Sequence, residues 1–254
     1  MGQVRVRLYA ELNDLLPADR RQRAFDVPHN IRRSIKDLIE SLGIPHTEID
    51  LILANGRSVG FDYLVRDGDR ISVYPVFESL DITPLVRVRP TPLRETRFVL
   101  DVHLGKLAAY LRMVGFDTLY RNDYEDEELA RISSEERRIL LTRDRGLLKR
   151  SQVTHGYLVR EDSPRRQLVE VLRRFDLFGQ IHPLARCMRC NGQLRPVAKE
   201  DVLDRLPPRT QQYYDRFCAC EACGQVYWPG SHYARMMVFA EEVSCASPAA
   251  PHQP

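Results

Sequence analysis

Residues 3–9, Gln-Val-Arg-Val-Arg-Leu-Tyr, alternate apolar and charged side chains and predict a strand with one wet face. Between residues 31 and 42, Ile31, Ile35, Leu38, Ile39 and Leu42 recur at helical spacing, and Gly43 predicts the stop. Leu51–Ala54 reads as a strand running into an Asn55-Gly56 turn. Asp67-Gly68-Asp69 then precedes a strand over Arg70–Phe77. A β–α–β–β pattern of this length is a small α+β domain, taken as residues 1–80.

Residues 81–96 place Pro84, Pro90 and Pro92 among alternating Arg and apolar residues and predict an extended linker. Beyond it the period changes. Phe98–Val102 is a short apolar run, and Leu104, Leu107, Ala108, Leu111 and Val114 form one face of a helix ended by Gly115. Phe116–Tyr120 predicts the second strand, and Asp126-Glu127-Glu128 open the next helix at its positive end. Arg138–Thr142, a short helix over Gly146–Arg150 and a strand over Gly156–Arg160 follow. Ser163-Pro164 caps a helix with Leu168, Val171, Leu172 and Phe175 inward. Strands alternating with helices imply a parallel sheet, so residues 97–178 read as an α/β domain.

Composition adds constraints rather than a function. Across 254 residues, 43% hydrophobic and 29% charged is a globular balance. No uncharged apolar stretch approaches the roughly 18–20 residues of a membrane helix. Arg5, Arg7 and Glu11 occupy the place of a signal peptide's apolar core, so a cytoplasmic location is expected. The net charge of +3 does not announce nucleic acid. With four lysines among 38 basic residues, the other 34 are Arg, the better phosphate fork. Dinucleotide G-x-G-x-x-G, phosphate-loop G-x-x-x-x-G-K-[ST] and G-x-S-x-G elbow patterns are all missing from the sequence.

Cysteine spacing is the most specific local signal. Cys187-Met188-Arg189-Cys190 and Cys220-Glu221-Ala222-Cys223 form two C-x-x-C pairs with 29 residues between them. Two thiolates three residues apart on a tight turn can chelate one ion, and two such turns close a tetrahedron. The pattern predicts a structural zinc in a ribbon over residues 179–240, with no open position for substrate water. Cys218 competes for a ligand place, whereas Cys245 lies in a Pro/Ala-rich tail, 241–254, expected to be flexible. Tyr227 and Trp228 either stack on unpaired bases or pack the ribbon onto the nuclease domain; packing is the expectation.

Carboxylates mark a second candidate. Ligands of parallel sheets gather at the carboxyl ends of strands, where Asp101 and Asp144 fall, and Asp126 opens the helix after the second strand. Crowded carboxylates call for a hard cation, magnesium or manganese. Aspartates at strand ends are equally common as turn formers, and both readings stand. His103 reads either as a general base or as a histidine bonded to backbone at the helix start; Thr142 is expected to close its strand. Arg143 grips a phosphate or serves as counter-ion to the acids. Lys106 and Arg112 fall on the polar side of the first helix, where a solvated face is expected and RNA guidance is the alternative.

Two resemblances extend this reading. VRVRLYAEL, the central helix, LANG and VRDGDRISVYP resemble the ubiquitin-like β-grasp family of sulfur-carrier proteins. Carriers end in a free Gly-Gly carboxylate, whereas here Val76-Phe77-Glu78-Ser79-Leu80 runs on. A docking or stabilising module is therefore implied, with a protein partner as the further expectation. FVLDVHLGKLAAYLRMVGFDTLYRNDYEDEELARISSEERRILLTRDRGLLKR, with RCMRCNGQL and FCACEACGQVYWPGSH, resembles the Mut-seven C-terminal ribonuclease family, PIN-like nucleases with a zinc ribbon. The resemblance covers about residues 97–237 and implies magnesium- or manganese-dependent hydrolysis of RNA. Asp101 matches the first-strand aspartate, and Asp126 the acid opening the second helix, with Asp123 and Glu127 as near neighbours. Asp144 matches the aspartate of a T-x-D motif. Many PIN-like relatives carry a further acid where Gly146 stands, so a non-catalytic RNA- or ribosome-associated adaptor is the alternative.

Overall fold

In the computed structural model, described residues are 2–29, 32–75, 96–230, 234, 235, 237–239, 241 and 242. Ile31, the strand extension over 76–80, the linker expected over 81–96 (Thr96 apart), Ser231, His232 and the tail from 243 lie outside them. The chain divides into two compact units, residues 1–95 with 125–158, and 96–124 with 159–254.

The first unit opens with strand β1 (Gly2–Leu8), whose alternation buries Val4, Val6 and Leu8. Strand β2 (Phe25–His29) pairs with it antiparallel, Val4 opposite Val27. Helix α1 (Ile35–Ser41) starts later than the apolar spacing predicts. Ser34 caps it by accepting from the Asp37 backbone N–H at 3.1 Å, which sets the first turn there. Strands β3 (Ile49–Ala54) and β4 (Arg57–Ser58) form a two-residue hairpin. Its turn needs left-handed backbone at both positions, met by Asn55 (φ 51°) and Gly56 (φ 80°). Strand β5 (Arg70–Pro75) lies between β1, to which it is parallel, and β3, to which it is antiparallel. The sheet order is β2-β1-β5-β3-β4, and Ile35, Leu38 and Ile39 of α1 are buried. This mixed sheet with one helix is the expected β-grasp arrangement, with β2 and β4 added.

The same unit contains α3 (Asp126–Glu135), β8 (Ile139–Thr142), α4 (Arg145–Leu148) and β9 (Gly156–Leu158), with β8 and β9 parallel. Polar groups just after α1 reach this segment. The fully buried Glu48 accepts the Leu158 backbone N–H at 2.7 Å. His46 Nε2 donates to the Val153 carbonyl at 2.8 Å, and Lys149 Nζ donates to the Glu40 carbonyl at 2.8 Å.

His46 Nδ1 stands 2.7 Å from Glu40 Oε1. Burial is the largest influence on this ring and lowers its pKa from 6.5; Lys36 lowers it further, against the Glu40 side chain and the Val153 carbonyl. A ring whose folded pKa is depressed takes up its proton on unfolding first. Stability present above pH 6.5 is therefore lost as pH falls toward the folded value. Urea unfolding should show a loss of up to about 1.4 kcal/mol per pH unit in that window. His46→Gln should flatten the slope; an unchanged slope would clear the ring of this role.

The second unit holds β6 (Phe98–Leu100) and β7 (Thr118–Leu119), paired parallel, with α2 (Gly105–Met113) between them. Leu107, Ala108 and Leu111 of α2 are buried, and Phe98 meets Phe116 and Phe175 edge-on. Gly115 (φ 103°) ends the helical run. A Cβ there would strike the His182 carbonyl, so only glycine fits. Helix α5 (Pro164–Arg174) is capped by Ser163 as expected.

Strands β10 (Leu194–Val197), β11 (Phe217–Cys220) and β12 (Val226–Tyr227) make a three-stranded antiparallel ribbon. Between β10 and β11 the chain folds a 3-10 turn over Glu200–Arg205 and helix α6 (Pro208–Tyr213). Val202, Leu206, Phe217 and Val226 bury a small core, against which Val197, Tyr214 and Trp228 pack. Trp228 packs, as expected, but against the ribbon's own core rather than the nuclease domain. The described residues between 234 and 242 are helical, past the expected start of the tail at 241, and Phe239 among them is buried against Tyr110 and under the Arg165 guanidinium.

Among the described residues, no helix is long and apolar enough to cross a membrane.

Candidate functional site

The two cysteine pairs sit on matching turns. After the first, Asn191 (φ 70°) donates its backbone N–H to the Cys187 carbonyl at 2.9 Å, and Cys187 N–H donates to Gly192 at 2.8 Å. After the second, Gly224 (φ 69°) donates to the Cys220 carbonyl at 2.9 Å, and Cys220 N–H donates to Gln225 at 2.9 Å. Each turn points two sulfurs to one side. Cys187 Sγ lies 3.7 Å from Cys223 Sγ, Cys190 Sγ lies 3.4 Å from Cys220 Sγ, and all four fall within 4.8 Å of one another. A tetrahedral zinc with bonds near 2.3 Å needs sulfurs about 3.8 Å apart, so the donor set fits a structural zinc. A Cβ on Gly192 would lie 2.8 Å from Cys220 Sγ, which leaves that position to glycine. Cys218 is not one of the four, and burial raises its thiol pKa.

The surroundings favour thiolate. Tyr227 Oη accepts the Met188 backbone N–H at 3.2 Å, which turns the hydroxyl proton toward Cys187 Sγ, 3.2 Å away. Burial pushes the Cys187 thiol up. Hydrogen bonds from Tyr227 and from the Cys190 and Arg189 backbone outweigh it and bring the value to about 7. Cys190 is pushed up to about 12 by burial, with its thiol neighbours adding to the shift, so without an ion the four groups do not ionise alike. A zinc ion supplies the charge that lets all four do so.

Arg112 overturns its expected place on a solvated or RNA-guiding face. It is buried, 5% exposed, with Nε donating to the Thr118 carbonyl at 2.9 Å. Nη1 donates to the Met188 and Arg189 carbonyls at 3.2 Å each. The helical pattern shows which face is polar but not what covers it, and here the first cysteine turn does. Asn191 completes the attachment: its Oδ1 accepts Thr118 N–H and its Nδ2 donates to Asp117 Oδ1, both at 2.8 Å. Arg186 pairs with Asp117 at 3.3 Å. Lys106, by contrast, is exposed as expected.

Each candidate aspartate begins a helical turn. Asp101, at the carboxyl end of β6, is buried and caps the 3-10 turn Val102–Leu104. Its Oδ1 accepts both the backbone N–H and Nδ1–H of the exposed His103 at 2.9 Å. The histidine is thus bonded to the carboxylate, not the backbone partner expected of it. Asp144, beyond the end of β8, caps α4 by accepting Gly146 N–H at 2.6 Å. Thr142 Oγ1 accepts Asp144 N–H at 2.9 Å, so the fully buried threonine shapes this turn. Asp126 is the first residue of α3, about half exposed, with Oδ2 3.9 Å from Arg150 Nη2. Its neighbour Asp123 takes two bonds from Arg121, at 2.9 and 3.0 Å, which hold its carboxyl below the usual range. Asp101 belongs to the second unit, and Asp126 and Asp144 to the first.

Comparison with known proteins agrees with this architecture. A family model described as Mut7-C ubiquitin matches residues 1–81, and one described as Mut7-C RNAse domain matches residues 96–240. Neither curated proteins nor solved structures give a match. With more than half its length matched by one model, over the aspartate-bearing strands and the cysteine ribbon together, the chain belongs to the Mut7-C RNAse domain family, with a Mut7-C ubiquitin domain in front.

Proposed function

We propose that this protein hydrolyses RNA phosphodiester bonds, using Asp101, Asp126 and Asp144 to hold magnesium or manganese. The observation that supports this most is the placement of three acids, each opening a helical turn after a strand, within an RNAse-family domain. A hard divalent ion bound by such acids activates water and offsets charge on the phosphoryl group. The chain's own residues fix the acids. The His103 backbone N–H and ring hold Asp101 Oδ1, the Gly146 N–H holds the Asp144 carboxylate, and Thr142 Oγ1 holds the Asp144 backbone N–H. Zinc is structural in this reading, since four thiolates fill its coordination.

Asp101→Asn and Asp144→Asn keep the shape and one acceptor oxygen while replacing the other with an NH2 donor and removing the charge. Each should lower magnesium- or manganese-dependent cleavage on the order of 10²-fold or more, since partners one shell outside a metal already cost 10–100-fold. Equal cleavage by wild type and variants, with or without the ion, would mean contamination and end the proposal. A second reading, an RNA- or ribosome-associated adaptor, is favoured by Gly146, where many PIN-like relatives have an acid. Salt-sensitive RNA binding without cleavage would select it.

A further inference from the structure

We propose that the N-terminal domain acts in cis as a positioning element for Asp144, through His46, Glu48 and the Glu40 carbonyl. This rests on the reading above for its consequence in catalysis, but its geometry stands alone.

Helix α4 has four residues, too few to persist without outside support. Asp144 caps its front. Lys149, directly behind it, donates to the Glu40 carbonyl at the end of α1. The following loop is held at the Val153 carbonyl by His46, and β9 is held at the Leu158 N–H by Glu48. Three bonds from one side of the β-grasp domain thus fix the stretch that begins with Asp144.

Their chemistry shows a built contact. Glu48 is 0% exposed. A carboxylate removed from water costs several kcal/mol unless hydrogen-bonded, so it persists where a backbone donor is always present. A domain meant to carry or capture a separate protein would have no use for such an acid at this place. His46 is likewise enclosed, with Glu40 on one ring nitrogen, the Val153 carbonyl on the other and the Phe61 ring perpendicular to it at 5.6 Å between centroids. These groups recognise main chain, which explains how an N-terminal module serves a nuclease without a free Gly-Gly end.

The Gly146 amide is the reporter, because it is bonded to Asp144 Oδ1 at 2.6 Å. In the full chain, His46→Ala and Lys149→Met should speed amide exchange at Gly146 and across 145–158 by about tenfold or more. Amides of α2 and the ribbon should stay unchanged, a pattern that general destabilisation would not give. Glu48→Leu should do the same, and Glu48→Gln, which keeps an acceptor, should restore protection. Manganese titration followed by electron paramagnetic resonance should show about 10–100-fold weaker binding in the unprotected variants.

Unchanged exchange at Gly146 would overturn the proposal. So would faster exchange with full manganese affinity and cleavage. A wild type that neither binds manganese nor cleaves RNA would instead sink the catalytic reading. The Gly146 exchange pattern would still decide whether the domain holds Asp144.

Discussion

Stripping the metal from the four-cysteine cluster will unfold the ribbon. The segment has only a small apolar core, and the four cysteines that the two turns draw together are free thiols, with no disulfide among the described residues. Binding of structural zinc in comparable small modules is worth about 10–16 kcal/mol, which exceeds the stability of most whole domains. The chain's single Trp, Trp228, packs on that core and reports the change. On chelation, or in Cys220→Ser, its fluorescence should shift to that of an exposed indole and residues 186–230 should become open to protease. One zinc per chain should be released. A ribbon that keeps its Trp228 signal and protease resistance with no metal left would overturn the assignment.

Arg112→Leu should be the most damaging single change away from the cysteines, by about 3–5 kcal/mol. The variant leaves the Thr118, Met188 and Arg189 carbonyls without their buried donor. It also removes the positive charge beside thiolates that, with zinc, sum to about −2. Burial is the largest influence on the guanidinium and lowers its pKa, while Cys190 and Cys187 raise it. Arg112→Lys should rescue little, because one ammonium cannot reach the Thr118 carbonyl through Nε and the turn carbonyls through Nη1 together. Thermal unfolding should show roughly 6–20 °C lost in both. Near-wild-type melting of Arg112→Lys would mean that charge alone suffices and the fork geometry does not matter.

Much of the fold was legible because its signals are local. The alternation in β1, the apolar face of α2 and the Ser163-Pro164 start of α5 depend on neighbours a few residues away. Strand β2 was missed for a physical reason. It is an edge strand, only Val27 is buried, and Pro28, a residue tolerated at an edge, interrupts the apolar pattern. The cysteine site was readable from spacing, since each turn places its own two ligands. Asn191-Gly192 after the first pair was the available signal for the turn itself, a left-handed residue followed by one with no side chain. Tyr227 was expected to pack, but nothing local announced its hydroxyl on Cys187. Arg112 carries no local sign of its burial because two of its three carbonyl partners lie 76 and 77 residues downstream. His46 and Glu48 carried no signal at all, standing in an irregular Pro-His-Thr-Glu stretch with partners more than a hundred residues away.

That last separation has a consequence for biosynthesis. The amide that satisfies Glu48 is added 110 residues after it, and the carbonyl for His46 arrives 107 residues after the ring. At roughly 5–20 residues per second, a ribosome takes roughly 5–20 s to cover that distance. For the last 78 residues of this interval (158 minus 80) the leading domain is complete in covalent terms, yet Glu48 and His46 still lack these backbone partners. These two contacts of the leading domain therefore form only after the β9 segment has been made.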